Sequence, residues 1–260
     1  MNALRTTSTR YLRLILIGAW LPAGLVGLWW WVSENNPSPF FPPLSKILER
    51  FVTVWLGEGF VSDILPSMSN LLIGFGLGVL LGLVFGIVIA LLPLAEIIVN
   101  PYLQFLRALP SIALIPLLLM VMGTSDLSKI VLIAYGSFWP VLLNTIDGVK
   151  AIAPEVRQTG RSYRITPGNF LFRIILPGMF PQASIGIRLS LSIALVLVIG
   201  SEFYGATRGI GHFVLEAKQT FRLTDMWSGV ILLGILGYLL TVLYDAIDRR
   251  LLGWRKYVSG

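Results

Sequence analysis

The sequence contains no cysteine and a single histidine, His212. Without cysteine the chain has no disulfide framework, no thiol nucleophile and no cysteine-ligated metal. One histidine argues against a histidine-rich metal site. We therefore expect no metal site, and we interpret His212 as a surface or interface residue rather than a ligand.

Charge is also scarce, since only 13% of the 260 residues are charged and 55% are hydrophobic, with a mean hydropathy of +0.80. Soluble domains carry about 25% charged residues. This composition indicates a membrane protein. The net charge of +7 is explained by basic residues on the cytoplasmic side of a membrane protein, so we expect no nucleic-acid partner.

Several catalytic motifs are missing from the sequence. It has no phosphate-binding G-x-x-x-x-G-K-[ST] loop, no H-E-x-x-H pair and no nucleophile elbow. The glycines of "GATRGIG" follow an apolar run rather than a strand, so they do not form a dinucleotide fingerprint. We therefore expect no catalytic residues in this chain.

Long apolar runs dominate what remains. A membrane-crossing helix needs about 20 apolar residues, and six segments qualify. The first segment is too long for a signal peptide and lacks an A-x-A site, so we expect it to be retained. The predicted spans are 14–32, 66–92, 99–122, 127–147, 179–201 and 225–247.

The distribution of Lys and Arg orients these spans. With the N-terminus inside, thirteen cations fall on the cytoplasmic side and six outside, which predicts that both termini are cytoplasmic. We divide the chain into residues 1–65, an N-terminal span with an external amphipathic segment, and a core of residues 66–255. Apolar residues at helical spacing over 44–55 predict a helix on the outer surface or against its own bundle.

Glycine and proline mark how the spans pack. Four glycines recur every four residues in the second span and would allow a neighbouring helix to approach closely. The partner is either another helix of the bundle, or a dimer seam or sliding surface. Prolines in the third and fourth spans predict kinks. These residues are Gly74, Gly78, Gly82, Gly86, Pro110, Pro116 and Pro140.

A few charged groups lie within or at the ends of the predicted spans, where charge is costly. Arg188 either pairs with another side chain or extends toward the membrane interface, or it faces a path through the membrane. Ser201 and Glu202 end the fifth span and are candidates for the same path or its gate. Asp245 lies four residues before Arg249, which favours an i,i+4 ion pair.

The loop between the fourth and fifth spans, at about 148–178, combines arginines with proline turns. It reads as two short helices: one over about 155–163, and a second beginning at Thr166 and Pro167, a hydroxyl N-cap followed by proline. Pro177 is expected to stop the second helix. An interfacial loop with positive charge explains the arginines but not the capped turn.

The stretch "GRSYRITPGNFLFRIILPGMFP" resembles the cytoplasmic EAA loop of permease subunits of bacterial ABC importers. Aligned on "IILP", the family's E-A-A falls on Gln158, Thr159 and Gly160, and its glycine falls on Arg164. The glutamate and that glycine are therefore replaced. "LPSIALIPLLLMVMG" and "GIRLSLSIALVLVIGSEFYGATRGIGHFV" resemble other parts of the family, the latter in its branch for nitrate, sulfonates and taurine.

The resemblance implies an all-α type I importer permease in the bacterial inner membrane. It implies a homodimer, two ATPase subunits that hold ATP and Mg²⁺, an external substrate-binding protein, and alternating access for a small polar, anionic solute. The loop would carry a coupling helix that docks into the ATPase. The expected docking residues are Arg157, Gly160, Arg161, Tyr163, Arg164, Ile165, Thr166, Pro167, Phe170 and Pro177.

Two other classes remain open. A stand-alone secondary transporter would show two related halves and mid-membrane carboxylates. A membrane-embedded enzyme would need a convergent catalytic set. Copurification of a nucleotide-binding subunit distinguishes the importer from both.

Overall fold

The computed structural model describes residues 20–36 and 38–252. This part of the chain is almost entirely helical, and its one isolated β-bridge joins Ser38 to Phe41. The helices are α1 (20–35), α2 (Leu44–Trp55), α3 (Leu65–Leu91), α4 (Pro93–Ala108), α5 (Ile115–Met122), α6 (Asp126–Lys150), α7 (Pro154–Ser162), α8 (Pro167–Phe170), α9 (Leu176–Glu202), α10 (Ile210–Gln219) and α11 (Leu223–Leu251).

Helices α3, α6 and α9 form the centre of the bundle. Leu71 of α3, Ile133 of α6 and Ala194 of α9 are fully buried in one cluster. In a bilayer, such contact gains little from the hydrophobic effect and depends on close van der Waals packing. Small residues at the helix interfaces therefore set the architecture.

The glycine face of α3 lies against α6 of the same chain. A Cβ on Gly74 would come within 2.7 Å of the Ile133 Cβ, and one on Gly78 within 2.6 Å of the Ala134 carbonyl oxygen. Gly82 and Gly86 meet α6 in the same way. Within one chain this face is thus occupied by bundle packing and is not a free dimer seam.

The external amphipathic helix is present as α2, and it packs against its own bundle. Ile47 and Trp55 are buried, and the Trp55 indole Nε1 donates to Ser228 Oγ of α11 at 3.2 Å. Arg50 forms an ion pair with Asp225 at the start of α11. The hydrogen bond to Asp225 raises the pKa of Arg50, because it stabilises the charged form.

Four helical stretches of the described chain are long and apolar enough to cross a membrane, and a bent pair adds a fifth. They include α3, α6, α9 and α11. The predicted third span, 99–122, is sharply bent: its two halves meet at 77°. Pro110 causes the break, since it lacks an N–H and forces Leu109 into an extended conformation. Residues 14–19 of the predicted first span lie outside the described residues.

Pro177 does not stop a helix, contrary to the sequence-based expectation. The backbone runs from Pro167 to Glu202 without interruption, because a π-helical turn over Leu171–Ile175 precedes the proline. There the Leu176 N–H reaches back five residues to the Leu171 carbonyl. This wider turn accommodates the missing donor at Pro177. A second π-helical turn, Phe60–Ile64, precedes Pro66 at the start of α3.

Candidate functional site

We call the end of the bundle that carries α7 and α8 the loop end, and the end that carries α10 the α10 end. At the loop end, α7 and α8 form a short helical hairpin with its turn at residues 163–166. The Ile165 N–H donates to the Gly160 carbonyl and closes α7. Thr166 occupies the N-cap position of α8 as predicted, but its hydroxyl makes no capping hydrogen bond.

Arg164 adopts a left-handed backbone conformation, with φ of +49°. For residues with a Cβ this conformation costs about 1–2 kcal/mol, whereas glycine adopts it without that cost. The family resemblance places a glycine at this position. Arg164 therefore adopts a strained conformation at the position where the resemblance places a glycine.

Phe170 holds the two arms of the hairpin together. A Cβ on Gly160 would approach the Phe170 ring at 2.7 Å, so only glycine allows the ring to lie this close. Phe170 also packs against the cluster that contains Val149, Ile175 and Met179. We expected Phe170 to contact the ATPase. Its packing instead assigns it to the interior of the hairpin.

The turn itself is exposed. Tyr163 has 79% of its surface exposed, and Arg164, Ile165, Thr166 and Pro167 are exposed beside it. We call these five residues the tip. The tip presents one aromatic ring and one cation to its surroundings, a combination that is enriched at protein interfaces.

Two of the expected docking residues lie elsewhere. Arg157 is turned back toward α6, where its Nη2 donates to the Val149 carbonyl, so it is not part of the tip. Pro177 is exposed at the start of α9, beyond the π turn. The side chain of Arg161 lies outside the described part of the chain.

At the α10 end, Glu202 is the centre of a buried hydrogen-bond network and is 1% exposed. Its carboxylate accepts from Ser67 Oγ at 2.6 Å and from the Gly211 N–H at 2.8 Å. Ser67 Oγ in turn accepts from the Ile210 N–H. The first amide groups of α10 are thus satisfied by side chains from α3 and α9. Glu202 fixes the turn between α9 and α10 and is not open to a path.

A second polar cluster surrounds Asp126 at the start of α6. It accepts from Arg208 at 2.6 Å, from Lys129 at 3.1 Å and from Asn70 at 3.1 Å. Lys129 is almost fully buried, so a carboxylate beside it is needed to offset its charge. Sequence reasoning missed both clusters, although polar residues at the first turn of an apolar helix were the available signal.

The remaining path candidates also have partners within the chain. Ser201 is buried and donates to the Val198 carbonyl. The Arg188 guanidinium pairs with Asp245 of α11 at 3.1 Å, while 58% of the Arg188 side chain stays exposed. The expected Asp245–Arg249 ion pair is wrong, because Arg249 Nε donates to the Asp245 backbone carbonyl.

A polar cavity of about 340 Å³ lies between α4 and α6, toward the loop end, and sequence reasoning did not identify it. Its residues come from three helices, α3, α4 and α6, so no local motif reveals them. The polar and charged residues in its wall are Asn100, Gln104, Arg107, Asp147 and Lys150.

Comparison with known proteins agrees with this arrangement. Residues 78–253 match the family described as binding-protein-dependent transport system inner membrane component. The chain is 30% identical over 244 residues to the taurine transport system permease protein TauC of Escherichia coli (strain K12), covering 91% of this chain and 89% of the relative.

It is also 29% identical over 245 residues to the putative aliphatic sulfonates transport permease protein SsuC of Bacillus subtilis (strain 168), covering 94% and 89% of the two chains. The bicarbonate transport system permease protein CmpB of Synechocystis sp. is 29% identical over 71% of this chain and 66% of the relative.

Among solved structures, the inward-facing MetNI methionine ABC transporter has a similar fold, with a TM-score of 0.61 at 20% identity. The alignment covers 73% of this chain and 94% of that chain. The chain therefore belongs to the family of inner membrane components of binding-protein-dependent transport systems, the permease subunits of ABC importers, in which a separate subunit hydrolyses ATP.

Proposed function

We propose that this chain forms the alternating-access path of an importer for a small anionic solute, with the tip as the handle that couples it to ATP hydrolysis. The observation that carries this proposal is the exposed tip, Tyr163–Pro167, on a hairpin whose two arms are held together by the contact of Phe170 with Gly160. An aromatic and cationic surface that has no partner among the described residues fits a docking role.

The proposal places the loop end in the cytoplasm. Six spans, with the first at about 14–32, then put both termini on the cytoplasmic side. The excess of Lys and Arg near the loop end supports this orientation. The assembly contains two copies of this chain, two ATPase subunits that hold ATP and Mg²⁺, and an external binding protein.

The mechanism follows from the packing. When the ATPase subunits close on ATP, each pulls one tip, and the hairpin transmits the movement through the helix that runs unbroken from Pro167 to Glu202. Because Glu202 ties this helix to α3 and α10, the α10 end moves with it. Two discrete helix packings then open the path alternately to each side.

The names of the relatives favour a sulfonate, taurine or bicarbonate as solute. Arg188 keeps an exposed guanidinium and remains our candidate for attracting an anion along the path. The polar cavity between α4 and α6 contributes Arg107 and Lys150 near the cytoplasmic side, where a released anion would leave. Selection of the solute belongs mainly to the binding protein.

The coupling role is tested with the double variant Tyr163→Ala/Arg164→Ala in the complex of permease, ATPase and binding protein. Both side chains point away from the core, so the variant should insert and fold. We expect solute-stimulated ATP turnover to fall at least about tenfold, as for loss of one interface hot spot. The matched control is Phe172→Ala, which removes another exposed aromatic ring from the same loop region.

Retention of full solute-stimulated turnover in the tip variant would refute the coupling role. Uptake of labelled taurine, an aliphatic sulfonate and bicarbonate by vesicles with the cognate binding protein identifies the solute. If no ATPase copurifies and uptake does not depend on ATP, the secondary transporter is favoured instead.

A further inference from the structure

The loop end contains a second cavity, of about 430 Å³, that the transport mechanism does not use. It lies between the last turn of α3 and the α7–α8 hairpin, and two tip residues, Ile165 and Pro167, are among its lining residues. Its walls are mostly apolar. The lining residues used below are Ala90, Leu91, Arg157, Phe170 and Ile175.

Arg157 is the cation of this cavity, and its charge is not balanced by the described residues. Its Nη2 donates to the Val149 carbonyl, and its Nε, which is shielded from solvent, has no acceptor. None of the described carboxylates forms an ion pair with it. A partly buried guanidinium without a counter-ion is costly, so an anion from outside the chain would complete the site.

The position of the cavity indicates which anion it takes. Ala90 and Leu91 are the last residues of a helix able to cross the membrane, so the cavity lies where the hydrocarbon region meets the headgroups. Just beyond it, Leu92, Leu94 and Ile97 are exposed. A free inorganic anion gains nothing from apolar walls, whereas a phospholipid offers a phosphate and an apolar body together.

We propose that this cavity binds an anionic phospholipid of the cytoplasmic leaflet, with the phosphate at Arg157 and the apolar part against Ala90, Leu91 and Ile175. The side of the membrane rests on the proposed function. Binding itself does not, because it depends only on the cavity and its cation.

A lipid in this position would touch both a membrane-crossing helix and the hairpin. The cavity lies between the α3 end and the hairpin, which both pack against the cluster that contains Val149 and Ile175. Bridging them would stiffen the connection through which the tip moves the bundle, so anionic lipid would regulate coupling.

The test is native mass spectrometry of the permease–ATPase complex, released from nanodiscs of phosphatidylglycerol or of phosphatidylcholine. We expect the wild-type complex to retain phosphatidylglycerol in preference to phosphatidylcholine. Arg157→Gln should lower retention about tenfold, the effect of losing a hydrogen bond to a charged group. Arg157→Lys should restore part of it. Arg173→Gln, which removes an exposed cation from the same loop region, should retain as much as wild type.

A second variant guards against misfolding of the first. Ala90→Phe fills the cavity from the α3 side and leaves Arg157 intact, and it should also lose the lipid while the ATPase stays bound. Equal phosphatidylglycerol retention in wild type, Arg157→Gln and Ala90→Phe would overturn the proposal. Displacement of the lipid by inorganic phosphate would also overturn it. So would retention of the lipid only after the ATPase is stripped away, because an ATPase carboxylate would then be the counter-ion of Arg157 in the complex. Retention is measured without transport, so this result is independent of the coupling test.

Discussion

The two ends of the molecule differ in whether their polar groups have partners within the described chain. At the α10 end, Glu202 of α9, Ser67 of α3 and Asp126 of α6 accept hydrogen bonds from backbone amides of α10 and from the buried Lys129. At the loop end, the tip is exposed and Arg157 has no counter-ion among the described residues. An end that satisfies its own polar groups behaves as a rigid unit, whereas an end that leaves them open is the place where partners bind.

The largest expected effect tests the rigid end. Glu202→Ala removes the acceptor of two buried donors, Ser67 Oγ and the Gly211 N–H. Each buried donor left without a partner costs about 1–3 kcal/mol. We expect a loss of about 3 kcal/mol in stability and a disordered α9–α10 turn.

This loss is measured as the fall in the melting temperature of the purified complex in detergent, with limited proteolysis locating any new cleavage at residues 203–209. Glu202→Gln keeps the volume and one acceptor, and should lose about half as much. Equal stability of wild type and Glu202→Ala would show that the network does not hold this end.

The next effect tests whether the glycine face of α3 is a packing surface. Gly78→Ala places a Cβ against the Ala134 carbonyl oxygen and Ser137, and backbone cannot move aside easily. We expect a loss of about 1–2 kcal/mol from overpacking. Gly76, in the same helix, has no heavy atom within 4 Å of an added Cβ, so Gly76→Ala is the matched control.

Gly76→Ala should leave stability unchanged or raise it slightly, since alanine favours a helix by up to about 1 kcal/mol over glycine. Thermal unfolding of the two variants side by side gives the answer. If Gly78→Ala and Gly76→Ala unfold at the same temperature, the glycines are not needed for close packing of α3 against α6.

The smallest expected effect concerns backbone strain at the loop end. Arg164→Gly relieves the left-handed backbone strain and should stabilise the hairpin by about 1 kcal/mol. Phe221, near the α10 end, has a φ of +56°, and Phe221→Gly should give a similar gain. The two variants should differ in coupling, because only Arg164 belongs to the tip.

Hydrogen exchange of residues 154–170 and solute-stimulated ATP turnover separate these effects. We expect slower exchange in Arg164→Gly together with weaker coupling, and unchanged coupling in Phe221→Gly. If hydrogen exchange slows but solute-stimulated turnover is unaltered in both variants, Arg164 is not part of the docking surface.

Features that depend on local periodicity could be predicted from the sequence. The apolar runs gave the helices that became α3, α6, α9 and α11, and helical spacing gave α2. The proline after Thr166 located the start of α8. The spacing of Gly74, Gly78, Gly82 and Gly86 identified a packing face because one side of a helix repeats about every four residues.

Features that depend on contacts between distant segments could not be predicted. Glu202 looked like a path residue because nothing local reveals that Ser67 and Gly211 would enclose it. Phe170 looked like a docking residue because its partner, Gly160, lies ten residues away across a turn. The π turn before Pro177 was missed because proline alone signals a helix end, and only the preceding geometry shows how the helix continues.

The central claim is that the tip faces the cytoplasm and is held by the ATPase. The chain contains no cysteine, so Tyr163→Cys provides a unique label site without further changes. A membrane-impermeant maleimide should leave Cys-substituted position 163 unlabelled in intact cells, label it in inside-out vesicles stripped of the ATPase, and label it poorly once the ATPase is restored. Labelling in intact cells would contradict the account.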